Sequence, residues 1–210
     1  RRGSAASRLI PSDVPRSLIS SAAILHVTGI TPALSPSARE TVLASIGVAA
    51  SVGVTVSVDI NYRSKLWDRD TARPSLRKMM AGTDIAFAGI EEAQLVLGTS
   101  SSDPLELARG LRELGPTEVV IKNGDQGCVA IIDGVEHTQP AIPVTVIDPL
   151  GAGDAFVAGY LAERLAGAGA GQRLRTAVAM GAYAVTVPGD CELLPSRSEL
   201  AAAAVTDVVR

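Results

Sequence analysis

The stretch Asp148-Pro149-Leu150-Gly151-Ala152-Gly153-Asp154-Ala155-Phe156 decides the reading of this chain. A β-branched run, Val144 to Ile147, leads into it and reads as a strand. An apolar helical pattern leaves it, Ala155-Phe-Val-Ala-Gly-Tyr160, and continues to about Leu165. Strand, glycine turn and helix together make the unit of an α/β sheet protein. The first amides of such a helix have no partners inside it and lie at the positive end of its dipole, so they form an anion site. Gly151 and Gly153 present no side chains, which lets a phosphate reach those amides. An acid there would repel a phosphate, unless its task is to take a proton from a hydroxyl attacking that phosphate. A bare Gly-x-Gly-Asp reads first as a helix-start acid. The apolar helix behind Asp154, which holds its own N-terminus rigidly, shifts the balance towards a base.

Outward from this turn, strand patterns alternate with helix patterns. Strands are expected at Ala23–Thr28, Val54–Val58, Asp84–Phe87 and Glu118–Lys122. Helices are expected at Ser35–Ala50, Thr71–Met80, Glu91–Leu97, from Asp103 to near Gly115, and at Gln172–Val187 and Ser196–Val205. The opening, Arg1 to Arg16, is polar and turn-rich. Residues Gly127–Asp133 and Val135–Thr138, around Gly134, look like an antiparallel hairpin. Such alternation predicts an α/β sandwich with a mainly parallel sheet, whose ligands sit beyond the carboxyl ends of the strands. Polar clusters at Asp59–Trp67, Lys122–Gly127 and Asp148–Asp154 are placed at that edge.

Composition narrows the function. Of 210 residues 47% are hydrophobic but only 3% aromatic, so the core is expected to be aliphatic. The formal net charge is −3 and no basic stripe occurs, which argues against nucleic acid as a partner. No apolar run approaches the ~20 residues of a membrane span. Cys128 and Cys191 lack metal spacing and read as buried thiols in a reducing cytoplasm. His26 reads as a core histidine, His137 as solvated, and Trp67 as either a substrate wall or a packed cover for its loop. There is no Gly-x-x-x-x-Gly-Lys-Ser/Thr, so the P-loop is excluded. Phe156 stands where a dinucleotide fingerprint needs Gly or Ala, which argues against that fold too.

The pattern Asp148-x-x-Gly-Ala-Gly-Asp154-x-Phe156 resembles the signature of the ribokinase-like carbohydrate kinases. Asp59-Ile-Asn61-Tyr-Arg63-Ser-Lys-Leu-Trp67 resembles a loop of the branch that phosphorylates 2-keto-3-deoxygluconate (2-dehydro-3-deoxygluconate). Arg1-Arg-Gly-Ser-Ala5 and Ile30-Thr-Pro-Ala-Leu34 are similar to the same branch, and Lys122-Asn-Gly124-Asp-Gln-Gly127 resembles the family's nucleotide-side turn. The resemblance covers nearly the whole chain. It implies a three-layer α/β/α sandwich and an ATP- and Mg²⁺-dependent sugar kinase in the cytoplasm. Family members carry further chain ahead of the matching segment, with the first strands and a β-sheet lid. Residues 1–210 are therefore read as the C-terminal two-thirds of such a domain. The lid often forms a dimer contact in that family, so a homo-oligomer is also allowed.

Roles follow from the resemblance residue by residue. Asp154 would be the catalytic base, and the amides of Gly151, Ala152 and Gly153 the anion hole. Lys122, Gly124 and Gly127 would line the nucleotide, with Asp59, Asn61 and Asp148 near its phosphates or Mg²⁺. Arg63 and Arg1 would hold the sugar's carboxylate or phosphoryl group, as a guanidinium fork suits either. Glu92 would act on Mg²⁺ through water. The family's Asn-x-x-Glu has Gly89 in place of Asn here, and Pro149 stands where Thr is common. Two other readings remain: a kinase for a neutral sugar such as fructose or ribose, and a nucleotide- or sugar-binding protein without turnover.

Overall fold

A computed structural model describes residues 3–189 and 194–200. Arg1, Cys191 and the expected last helix beyond Leu200 lie outside them; residues 197–200 are helical. Six five-residue strands form one sheet: β1 (Ile24–Thr28), β2 (Thr55–Asp59), β3 (Ile85–Gly89), β4 (Glu118–Lys122), β5 (Cys128–Ile132) and β6 (Val135–Gln139). They lie side by side in chain order. The pairs β1–β2, β2–β3 and β3–β4 are parallel, and the last strands run antiparallel. The helices are α1 (Arg16–Ser20), α2 (Thr31–Leu34), α3 (Pro36–Val52), α4 (Arg69–Met80), α5 (Ile90–Leu97), α6 (Pro104–Arg112), α7 (Ala152–Leu165) and α8 (Ala170–Ala184). The chain divides into two units, residues 1–122 with 129–136, and residues 123–128 with 137–210.

In the first unit, local chemistry sets the helix starts. Ser35 Oγ accepts from Ala38 N at 3.0 Å ahead of Pro36, and Asp103 Oδ1 accepts from Leu105 N at 2.8 Å ahead of Pro104. Each is an N-cap followed by a proline that needs no amide partner. One face of the sheet is a column of alternate residues: Val56 and Val58, Ala86 and Ala88, Val119 and Ile121. Against it pack Val42 and Ile46 of α3, Leu76 and Met79 of α4, Val96 of α5, and Leu107 and Leu111 of α6. Ile85, Phe87 and Val120, on the alternate positions, are fully buried as well. Burial on both faces explains why β3 and the middle of β4, Val119–Ile121, are apolar without alternation, where a one-sided strand would alternate. Each large aliphatic side chain so enclosed contributes about 1.5–3 kcal/mol. Asp133 and Gly134, at φ 51° and 81°, form the two-residue turn between β5 and β6. Positive φ at both positions matches the twist of a tight hairpin.

The second unit is built on α7 and α8, whose inner faces bury Phe156, Tyr160, Leu174, Ala177 and Val178. Glu163 is buried between them, accepting from Thr176 Oγ1 at 3.2 Å and pairing with Arg197 at 2.6 Å. Burial pushes the Cys128 thiol up to about 12, as befits an inert apolar thiol.

Two sequence expectations fail. Residues 144–147 form no strand: Val146 and Ile147 are 59% and 63% exposed. Their β-branched pattern suits a strand, but a strand also needs a ladder. Here Ile147 N and Asp148 N donate instead to Val185 O at the end of α8, at 2.7 and 3.2 Å. His26 is exposed and not part of the core, because β1 is an edge strand; its Nδ1 lies 3.0 Å from Ser57 Oγ on β2.

Candidate active site

Parallel pairing brings the carboxyl ends of β2, β3 and β4 to one edge of the first unit. Asp59 ends β2 and Lys122 ends β4, with β3 between them. The Lys122 Nζ sits 2.8 and 3.0 Å from the two carboxylate oxygens of Asp59. Asp59 keeps only 2% of its side-chain surface and Lys122 keeps 20%, so the ion pair is enclosed, with the lysine at its open side. From the sequence, Lys122 is expected as a nucleotide contact and Asp59 near the phosphates or Mg²⁺; the fold pairs the two with each other.

Beyond Asp59 the chain turns sharply. Asn61 is buried and holds φ 38°, a left-handed conformation that Asn tolerates better than most residues. Tyr62 N then donates to Glu92 Oε1 at 2.9 Å, and Glu92 Oε2 accepts from Gly89 N at 2.8 Å. Burial is the main force pushing the Glu92 carboxyl above the usual range; Lys122 opposes this, Asp59 adds to it, and the two backbone amides oppose it. Tyr62 Oη donates to Trp67 O at 3.1 Å and closes the loop on itself. Trp67 is buried, with the Arg39 guanidinium 5.6 Å from its ring centre, which favours the packed-cover reading. Arg63 is exposed, and its guanidinium touches only the Tyr62 carbonyl, at 3.3 Å, among the described residues.

In the second unit, the turn after Lys122 is closed by Asn123 N donating to Gly127 O at 2.8 Å. Gly124 opens onto free space, as a ligand-facing turn requires. Gly127 holds φ 90° and ψ −126°, and a β-carbon there would overlap Gln139 O and crowd Ala141 N. Gly127→Ala is accordingly expected to destabilise the protein by about 1–3 kcal/mol. Urea unfolding of the full-length protein measures this, and an unshifted midpoint would mean that the turn is loose.

Further along, Asp148 Oδ1 accepts from Leu150 N at 2.9 Å, the tight turn that launches α7. Gly151 caps the helix in the left-handed region, at φ 74° and ψ −11°. Its carbonyl accepts from Ala155 N at 2.8 Å, which leaves the amides of Ala152, Gly153 and Asp154 as the first turn without intrahelical acceptors. Asp154 stands exposed in that turn. The structure thus brings Asn61, Glu92 and Lys122 together with Asp59 in one unit. It gathers Asp148, Gly151, Ala152, Gly153 and Asp154 at one helix start in the other. Arg1 lies outside the described residues. The role of the Tyr62 amide was not visible in the sequence, since it depends on a contact 30 positions away.

A nucleotide phosphate suits the first-turn amides of α7. Glu92 holds one backbone amide on each carboxylate oxygen, Tyr62 N on Oε1 and Gly89 N on Oε2. Among the described residues no group of three or more His, Cys, Asp or Glu side chains is placed to hold a metal ion.

Solved kinases share this fold. A 2-dehydro-3-deoxygluconokinase of Thermotoga maritima superposes with TM-score 0.89 at 26% identity, over 98% of this chain and 67% of that one. An aminoimidazole riboside kinase of Salmonella enterica, solved with its riboside and an ATP analogue, gives TM-score 0.79 at 28% identity, over 93% and 66%. The fold is thus ribokinase-like. The chain belongs to the pfkB family of carbohydrate kinases, which it matches over residues 1–197. A 2-dehydro-3-deoxygluconokinase of Thermoproteus tenax is 40% identical over 201 residues, 95% of this chain. The chain spans 60% of that relative's length. No helix among the described residues is long and apolar enough to cross a membrane.

Proposed function

We propose that the full-length protein transfers the γ-phosphoryl group of ATP to a hydroxyl of 2-keto-3-deoxygluconate or a similar sugar acid, in the cytoplasm. The observation that carries the reading is the glycine-capped start of α7, with Asp154 exposed in its first turn. In this reading residues 1–210 are the C-terminal two-thirds of the kinase domain. Asp154 accepts the hydroxyl proton as the oxygen bonds to phosphorus. The amides of Gly151, Ala152 and Gly153 hold the charge that develops on the transferring group. Lys122, Gly124 and Gly127 line the nucleotide, and Asp148 fixes the turn beside it. Mg²⁺, carried on the nucleotide phosphates with its own waters, supplies neutralising charge.

The substrate class rests on Arg63 and Arg1. A keto-deoxy sugar acid carries a carboxylate, for which a guanidinium is a directed, permanently charged partner. The 40% identity to a 2-dehydro-3-deoxygluconokinase supports the same class. The test is a coupled ATP-consumption assay on the full-length protein with 2-keto-3-deoxygluconate, fructose and ribose. The acid is expected to give a kcat/KM at least about tenfold above either neutral sugar, the worth of one charge-assisted contact. Faster turnover of fructose or ribose would overturn the substrate assignment. An absence of turnover with all three would point to a binding protein.

A further inference from the structure

Glu92 reaches two segments that are far apart in the chain. Its Oε2 accepts from Gly89 N, within the start of α5, which caps its own helix. Its Oε1 accepts from Tyr62 N, thirty residues earlier, in the loop that leaves β2. Within that loop, Tyr62 Oη donates to Trp67 O and the Arg63 guanidinium to Tyr62 O. Just before it, Asn61 holds its left-handed φ of 38°. A conformation of that kind persists where its surroundings over-determine it. The Glu92–Tyr62 bond, one residue away, does so from the β3–α5 side. With both oxygens committed to amides, the carboxylate acts as a clamp between two backbone segments.

We infer that Glu92 is a positioning residue: it fixes the Tyr62–Arg63 segment, and through it aims Arg63 at the acid group of the substrate. The inference rests on the reading of Arg63 given above, and it departs from a role for Glu92 on Mg²⁺. Replacing one acceptor oxygen by an amide NH₂ in Glu92→Gln leaves a donor facing a donor at one of the two bonds. The side chain keeps its size, so the helix cap and the packing are perturbed least.

The test uses the full-length protein with Glu92→Gln, Arg63→Ala and the double variant. Steady-state rates are measured against the sugar acid and, separately, against Mg²⁺ at fixed nucleotide. Glu92→Gln is expected to raise KM for the sugar acid about tenfold, the worth of a hydrogen bond to a charged group, and to leave the Mg²⁺ activation constant unchanged. In the double variant the KM effect should not exceed that of Arg63→Ala alone, since the clamp acts through that arginine. A shift in the Mg²⁺ constant with an unchanged sugar KM would overturn the inference, as would fully additive effects in the double variant. Hydrogen–deuterium exchange of the peptide spanning residues 59–67 gives a readout that needs no turnover. Faster exchange in Glu92→Gln is expected, and unchanged protection would refute the clamp even if no sugar were phosphorylated. Loss of turnover on every sugar in the unsubstituted protein, with faster exchange in the variant, would sink the functional reading and keep the clamp.

Discussion

Asp154→Asn in the full-length protein is expected to lower kcat by about 10²–10⁴, the usual contribution of a general base. Asn keeps the volume and an acceptor oxygen but cannot take up the proton. The first-turn amides of α7 are backbone groups and survive the substitution, so nucleotide affinity should change little, or improve slightly as a negative charge leaves the anion site. Removing an exposed acid from a helix's first turn costs at most about 1 kcal/mol of stability. Catalysis and folding therefore separate cleanly in this variant. Pre-steady-state and steady-state rates, together with an ATP-analogue Kd, make the measurement. Near-unchanged kcat with unchanged Kd would remove Asp154 from the chemistry and return it to the role of a helix-start acid.

Lys122→Met should be the most costly substitution for stability at the strand edge, at about 3–5 kcal/mol. It leaves the Asp59 carboxylate, 2% exposed, without the cation that sits 2.8 and 3.0 Å from its oxygens. The neighbouring acid Glu92 adds to the penalty. Asp59→Ala should cost less, because Lys122 is 20% exposed and its flexible stem can carry the ammonium to water. Combining Lys122→Met with Asp59→Ala should recover much of the loss, since neither member of the pair is then left charged without its partner. Urea unfolding of the three variants decides the matter. If the double variant were as unstable as the sum of the singles, the pair would be two independent residues and not one bonded unit.

What the sequence revealed and what it concealed divide along a physical line. The starts of α3 and α6 were legible, because Ser35-Pro36 and Asp103-Pro104 satisfy orphan amides locally. The hairpin at Asp133-Gly134 and the glycine-capped start of α7 were legible for the same reason: a turn's chemistry is written in adjacent residues. β3 and β4 announced themselves by uninterrupted apolar runs. Residues 144–147 carry an equally good local pattern and form no strand, because pairing depends on a partner that propensity cannot specify. The short α1 and α2 were not foreseen, being too brief to show a period. Within the candidate site, the residue types at Asp59, Asn61, Glu92 and Lys122 were readable, but their connections were not. The Asp59–Lys122 pair spans 63 positions and the Glu92–Tyr62 bond spans 30. Both exist only after strand register has been set.

The sheet's order, β1 through β6 with no strand out of turn, has a consequence for how the molecule is made. A chain leaving the ribosome at ~5–20 residues per second offers its strands one at a time. Here each new strand docks on the one just translated, and none must wait for a neighbour still unsynthesised. The growing edge is the youngest strand, covered by following helices after β1, β2 and β3 and by the next strand after β4 and β5. A nascent chain of this design never leaves β2, β3, β4 or β5 waiting for a partner that emerges out of order.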